Sequence, residues 1–238
     1  MKISQYAMIA LATFLFIVQS QTSHALPTAG QYAELTYDSN QNYGNLANSG
    51  GEFWLSVYDD RTTDIVSDSF ISFCLEKTET FSLDFRYEIA GVDDYAVAGG
   101  GGASNGRDEV SKATKWLMYN YLFGDYSFSR GSDSNANDVQ WAIWFLENEV
   151  DDTNFGNAGQ IVQFINNNES LIDSFAYSDN VKAINIDAVW YDNSGKEIGR
   201  QHRQSQLVAA PVPEPATMLL FGAGLVGLAG VAKRRVNR

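Results

Sequence analysis

Ser69-Phe70-Ile71-Ser72-Phe73-Cys74-Leu75 lies inside a run, 30–98, where apolar and polar residues alternate and β-branched and aromatic side chains are frequent. That pattern is the mark of strands with one face in a core. Three further stretches repeat it: Gln31-Tyr32-Ala33-Glu34-Leu35-Thr36-Tyr37, Glu52-Phe53-Trp54-Leu55-Ser56-Val57-Tyr58 and Phe85-Arg86-Tyr87-Glu88-Ile89. Connectors such as Asn48-Ser49-Gly50-Gly51 and Asp59-Asp60-Arg61 have the glycine and aspartate chemistry of turns, so the four pieces read as antiparallel strands. Cys74 sits on one of them.

After the glycine run 99–102 the period changes. Residues 107–123 place Val110, Ala113, Thr114, Leu117, Tyr121 and Leu122 at helical spacing, with Asp108 and Glu109 near the positive end of the helix dipole. A polar loop, 129–137, leads to a second predicted helix over 138–149, capped by Asn137 or Asp138, so that Gln140 falls in its first turn. A third helix is expected over 159–176. Residues 181–191 return to strand alternation, Asn193-Ser194-Gly195-Lys196 makes a turn, and a last strand over 198–208 closes the sheet. The order strands, helices, strands predicts an α+β domain, an antiparallel β-sandwich or barrel with an inserted helical subdomain.

Both ends read as targeting segments. Lys2, the apolar run Ala7 to Val18 and the small residues around Ser23-His24-Ala25 have the order of a secretory signal peptide, 1–25. The apolar run is about 18 Å long as a helix, too short for a hydrocarbon core of about 30 Å, which favours cleavage over anchoring. At the other end, 209–238, Pro213-Glu214-Pro215 precedes an apolar segment, 216–232, and the basic Lys233-Arg234-Arg235. Seventeen residues rise about 26 Å, enough for one transmembrane helix, and the basic end places the body outside. The Pro-Glu-Pro motif, glycine-rich apolar run and basic cluster together resemble the PEP-CTERM sorting signal. That resemblance implies an exosortase as partner, and a cell-surface or extracellular-matrix destination in a Gram-negative-type bacterium.

The exported body, 26–208, has the length of one domain. Residues 26–212 carry 28 acidic and 11 basic side chains, a formal charge of −17, whereas the whole chain carries −13. Such a surface repels nucleic acid and anionic membrane. A single cysteine, Cys74, in a chain bound for an oxidising compartment permits no internal disulfide, so the thiol calls for another explanation.

One explanation comes from a second block, Val139-Gln140-Trp141-Ala142-Ile143-Trp144. It resembles the Gln-x-Ala-Ile-Trp motif of the bacterial thioester-domain adhesins (TQXA-like), and Phe73-Cys74-Leu75-Glu76 resembles the aromatic-Cys-aliphatic block that precedes it there. The resemblance covers the two blocks and the strand-helix-strand order. It implies a non-enzymatic adhesion or binding module in which Cys74 and Gln140 form an internal thioester that attaches covalently to a nucleophile on a surface, matrix or polysaccharide partner. Phe73, Trp141, Ile143 and Trp144 would shield the bond, and backbone N–H groups of a first helical turn would stabilise the developing oxyanion. The commonest family form has Thr before the Gln, where Val139 stands here. The same residues also suit a structural or carbohydrate-binding matrix component in which Cys74 is a core residue.

Other motifs carry less. Gly102-Ala103-Ser104-Asn105-Gly106 matches a nucleophile elbow, but four consecutive glycines precede Ser104's segment and no repeating βαβ units surround it. Arg107-Asp108 stands where a phosphate loop needs Lys-Ser or Lys-Thr. Asp133 to Trp144 begins like a calcium loop but lacks its glycine and its final glutamate. No catalytic residue, metal ligand or cofactor is expected.

Overall fold

The computed structural model describes residues 25–37, 42–44, 51–97, 99–101 and 103–212. Nearly all belong to one compact unit, 24–211. The expected signal peptide (apart from Ala25), Pro213-Glu214-Pro215 and the apolar segment 216–232 lie outside the described residues. Among the described residues no helix is long and apolar enough to cross a membrane.

Six antiparallel strands form a closed barrel, the second of the two expected sheet architectures. They are β1 (Tyr32–Thr36), β2 (Phe53–Tyr58), β3 (Asp68–Cys74), β4 (Arg86–Asp93), β7 (Val181–Tyr191) and β8 (Glu197–Ala209), in the order β1-β2-β3-β8-β7-β4 with β4 returning to β1. Alternation decides which side chains enter the barrel: Ala33 and Leu35, Phe53, Leu55 and Val57, Phe70 and Cys74, Tyr87 and Ile89, and Ile184 and Ile186 share one cluster. The opposite faces of β3, β7 and β8 are apolar too, because helices cover them. Phe73, Leu75, Val181, Ala183, Leu207 and Ala209 belong to that second cluster, together with the helices. Register shifts between Ile89 and Gly91 and between Ile184 and Ile186 are bulges, which add the local twist that closure needs.

Between β4 and β7 lie a small hairpin, β5 (Tyr95–Val97) with β6 (Arg107–Glu109), and helices α1 (Lys112–Phe123), α2 (Asp133–Leu146), α3 (Ala158–Asn167) and α4 (Glu169–Asp173). The helix predicted over 107–123 therefore begins five residues later. Ser111 is its N-cap, accepting from the Thr114 N–H, and the preceding residues pair as a strand instead. The third predicted helix, 159–176, breaks into α3 and α4 at Asn168, whose Nδ2 turns back to the Phe164 carbonyl.

Candidate functional site

Helix α2 differs most from its predicted bounds. It starts at Asp133, capped by Ser132, whose hydroxyl accepts from the Asn135 N–H. Gln140 therefore lies two turns inside the helix, not in its first turn. The backbone N–H groups near it are committed to the helix, and the expected oxyanion donors of a helix start are not available there.

A different donor takes their place. Gln140 is fully buried, and its carboxamide docks on the main chain of Cys74 at the end of β3: Oε1 accepts from the Cys74 N–H at 3.0 Å, and Nε2 donates to the Cys74 carbonyl at 2.8 Å. The side chain completes the strand like a short partner strand, satisfying two groups that the barrel ladder leaves over. Because a main-chain N–H only donates and a carbonyl only accepts, the orientation of the amide is fixed.

Cys74 is 4 % exposed, and its side chain points to the barrel interior, where Gln206 Nε2 lies 3.9 Å from Sγ. Burial pushes the thiol up to about 12; the Gln206 contact opposes that rise and the Glu76 charge adds to it. Glu76 is buried as well, its Oε2 accepting from the Ser205 N–H. Burial, helped by the neighbouring Glu79 charge, pushes its carboxyl up to about 8. The thiol therefore rests protonated, and any nucleophilic use of it needs a base or a partner that takes the proton.

A cleft of about 680 Å³ opens over Cys74, walled by Phe53, Phe81, Trp141 and Trp144 and edged by Lys77 and Glu79. Trp141 and Trp144 meet edge to face with centroids 5.6 Å apart, and Phe155 stacks on Trp141 at 5.0 Å. The Lys77 ammonium sits over both indoles, 4.5 Å from the Trp141 ring and 5.9 Å from that of Trp144. Trp144 also packs into the barrel cluster, so α2 closes the barrel beside Cys74.

Of the residues singled out in the sequence, Cys74, Gln140, Trp141 and Trp144 come together. Phe73 and Ile143 lie in the helix-side core, Phe73 edge to face with Tyr121 at 5.2 Å, and neither lines the cleft. Lys77, Glu79 and Phe81 follow Cys74 within seven residues, but nothing in their spacing marks them as a rim. Gln206 is placed by the β3–β8 register, which pairs it with Cys74, and Gln204 lies two residues before it on β8 at the cleft. Ser104 forms a bridge with Arg107 across a two-residue turn, Asn105-Gly106, whose φ values of 55° and 75° are those of a tight hairpin. The nucleophile-elbow reading ends there. Asp133 to Asn137 are the first turns of α2, not a calcium loop.

No curated protein and no solved structure matches the chain. The PEP-CTERM protein-sorting motif matches at residues 211–235, just after the last strand of the barrel in sequence, and that motif implies export and recognition by an exosortase.

Proposed function

We propose that the barrel-and-helix body is a surface-displayed binding module that attaches covalently to its partner through a thioester between Cys74 and Gln140. In the forming step Sγ adds to Cδ of Gln140, the C–S bond forms and the C–Nε2 bond breaks. Ammonia leaves with the thiol proton. In the attaching step a partner amine takes the same carbon, the C–S bond breaks and the proton returns to Sγ. Each molecule reacts once, so the module is not an enzyme.

The observation that carries this reading is the clamp of the Gln140 carboxamide on the Cys74 main chain at 3.0 and 2.8 Å. It holds the carbonyl carbon beside the residue that bears the sulfur, and the Cys74 N–H is aimed at the oxygen that becomes negative during addition. The Cys74 carbonyl accepts a hydrogen bond from the nitrogen that departs, which keeps the amide in place for attack. The aromatic cleft supplies a route for a partner and a wall against bulk water.

Intact mass of the exported protein tests it. The natural chain is expected to be lighter than its sequence by one ammonia, to add methylamine, and to show a free thiol only after that addition. Cys74→Ala and Gln140→Ala are each expected to have full mass and no adduct. A natural chain of full mass with a thiol inert to alkylation sinks the proposal and leaves the clamp as a structural tie in a matrix component.

A further inference from the structure

A second cleft, about 400 Å³, lies in the helical part between α2, α3 and the loop that joins α1 to α2. That is near the lower end of the range for small-ligand pockets. One wall is aromatic. Tyr126 and Phe128 stack with centroids 5.1 Å apart and planes 9° from parallel, and Phe164 stands edge-on to both, at 5.8 and 6.4 Å.

The other wall is polar and keeps three oxygen acceptors, on Asn135, Gln160 and Asp138, beside one remaining amide hydrogen each on Asn157 and Gln160. Asn135 Nδ2 donates to the Ser127 and Ser129 carbonyls, which uses both its hydrogens and leaves Oδ1. Asn157 Nδ2 donates to Asp138 Oδ2 at 3.1 Å, and Gln160 Nε2 donates to Asn157 Oδ1, which leaves Gln160 Oε1. Carbonyls and a carboxylate cannot donate, so these amide orientations are locked.

At the floor is Asp138, 3 % exposed. Its Oδ2 takes the Asn157 amide and the Ser134 hydroxyl, while Oδ1 has no hydrogen-bond partner among the described residues. Oδ1 rests over Gly156, where a Cβ would come within 1.9 Å of it. A charged oxygen is thus held in a cradle that glycine alone permits, beside aromatic faces and further acceptors.

We propose that this cleft binds a primary alkylammonium group, the end of a lysine side chain or of a free diamine. A cation pairs with Oδ1 of Asp138, its N–H donors meet the wall's remaining oxygen acceptors, and the rings add cation–π attraction. A neutral alcohol has one donor and no charge and meets the same wall poorly. The body's acidic charge draws such cations towards it. The site is separate from the Cys74 cleft and does not depend on a thioester.

Calorimetric titration of the full-length chain with cadaverine, Nα-acetyl-lysinamide and 1,5-pentanediol tests it. The titration is run in the natural protein and in Cys74→Ala, so that covalent addition to a Cys74–Gln140 thioester cannot pass for binding here. In both chains at least one amine is expected to bind, the tighter one naming the source, and the diol is not. Asp138→Asn is expected to weaken binding about tenfold or more. Phe164→Leu, which keeps an apolar filling, is expected to weaken it about threefold or more, and it serves as the test if the Asp138 variant loses its near-UV circular dichroism. Diol binding equal to the amines, amine binding unchanged by a folded variant, or no amine binding in Cys74→Ala overturns the assignment.

Discussion

Arg130, in the loop between α1 and α2, grips Glu52 beside strand β2 with two parallel hydrogen bonds, Nε to Oε1 at 2.8 Å and Nη2 to Oε2 at 2.9 Å. The Tyr121 hydroxyl donates to the same carboxylate from α1, and the Tyr43 N–H adds another bond at 3.0 Å. This network ties the helical insertion to the barrel. The two partners differ in exposure, since the Glu52 side chain is fully buried and that of Arg130 is 31 % exposed. Removing the arginine strands a buried anion, whereas neutralising the glutamate leaves a cation with water at hand. Arg130→Met is therefore expected to cost about 3 kcal/mol and Glu52→Gln clearly less, by urea denaturation with an unchanged slope. The reverse order would show that the pair does not hold the insertion in this way.

The Gln140 clamp makes a comparable prediction at the candidate site. Glutamate at this position keeps the acceptor for the Cys74 N–H but turns a second acceptor towards the Cys74 carbonyl, inside a buried seam. In Cys74→Ala, which keeps the amide out of any thioester, Gln140→Glu is expected to destabilise by about 3 kcal/mol or more, and to exceed Gln140→Met, which leaves two polar groups unpaired but adds no charge. Equal losses in the two variants would mean that the amide's donor has no part in the clamp.

Strands were readable in the sequence where a barrel interior imposes period two, and β7 runs over the 181–191 read from alternation alone. The barrel's closure was not, because it depends on β4 returning to β1 across more than fifty residues of sequence, as in Ala33 with Tyr87 and Glu34 with Arg86. The start of α2 was hidden by composition. Asp133, Ser134, Asn135 and Asn137 are polar because only Ala136 of that turn enters the core, while the Ser132 cap was the signal that marked it. Asn105-Gly106 is equally plain as a hairpin turn, and the glycine run before it obscured the pairing of its flanks. At the site, the motif blocks located Cys74, Gln140 and two tryptophans. Phe73 and Ile143 sit one residue from side chains that face the cleft or the clamp, and the strand and helix periods turn them to the other face.

Glu76 makes stability depend on pH. Its carboxyl is raised from 4.5 to about 8 by burial and by Glu79, so between those values the folded protein holds a proton that the unfolded chain has released. The stability tied to that proton is complete below about pH 4.5 and is lost progressively as pH rises towards 8. Glu76→Gln is expected to flatten the fall of the urea midpoint over this window. Some slope remains, because burial also raises Glu79 and Glu147. Parallel profiles for the two proteins would remove Glu76 as the source.

Gly156 joins backbone conformation to the second cleft. Its φ of 48° lies in the left-handed region, and a Cβ there would stand 1.9 Å from Asp138 Oδ1. Alanine meets two separate penalties: the strained backbone, and a buried carboxylate that must rotate away and loosen its bond from Asn157 at 3.1 Å. The backbone penalty alone is about 1 kcal/mol, and displacement of Asp138 adds to it. Gly156→Ala is therefore expected to lose more stability than Gly195→Ala, which shares a positive φ of 82° in a surface hairpin with nothing within 4 Å of its Cβ. The same variant is expected to weaken cadaverine binding while leaving the mass and thiol reactivity of the Cys74 site unchanged, because α2 presents Asp138 and Gln140 to different neighbours. Thermal unfolding of the two glycine variants, with intact mass of the first, checks both halves. A Gly156→Ala protein as stable as Gly195→Ala would mean that Asp138 yields without cost and that its placement over the glycine is not enforced.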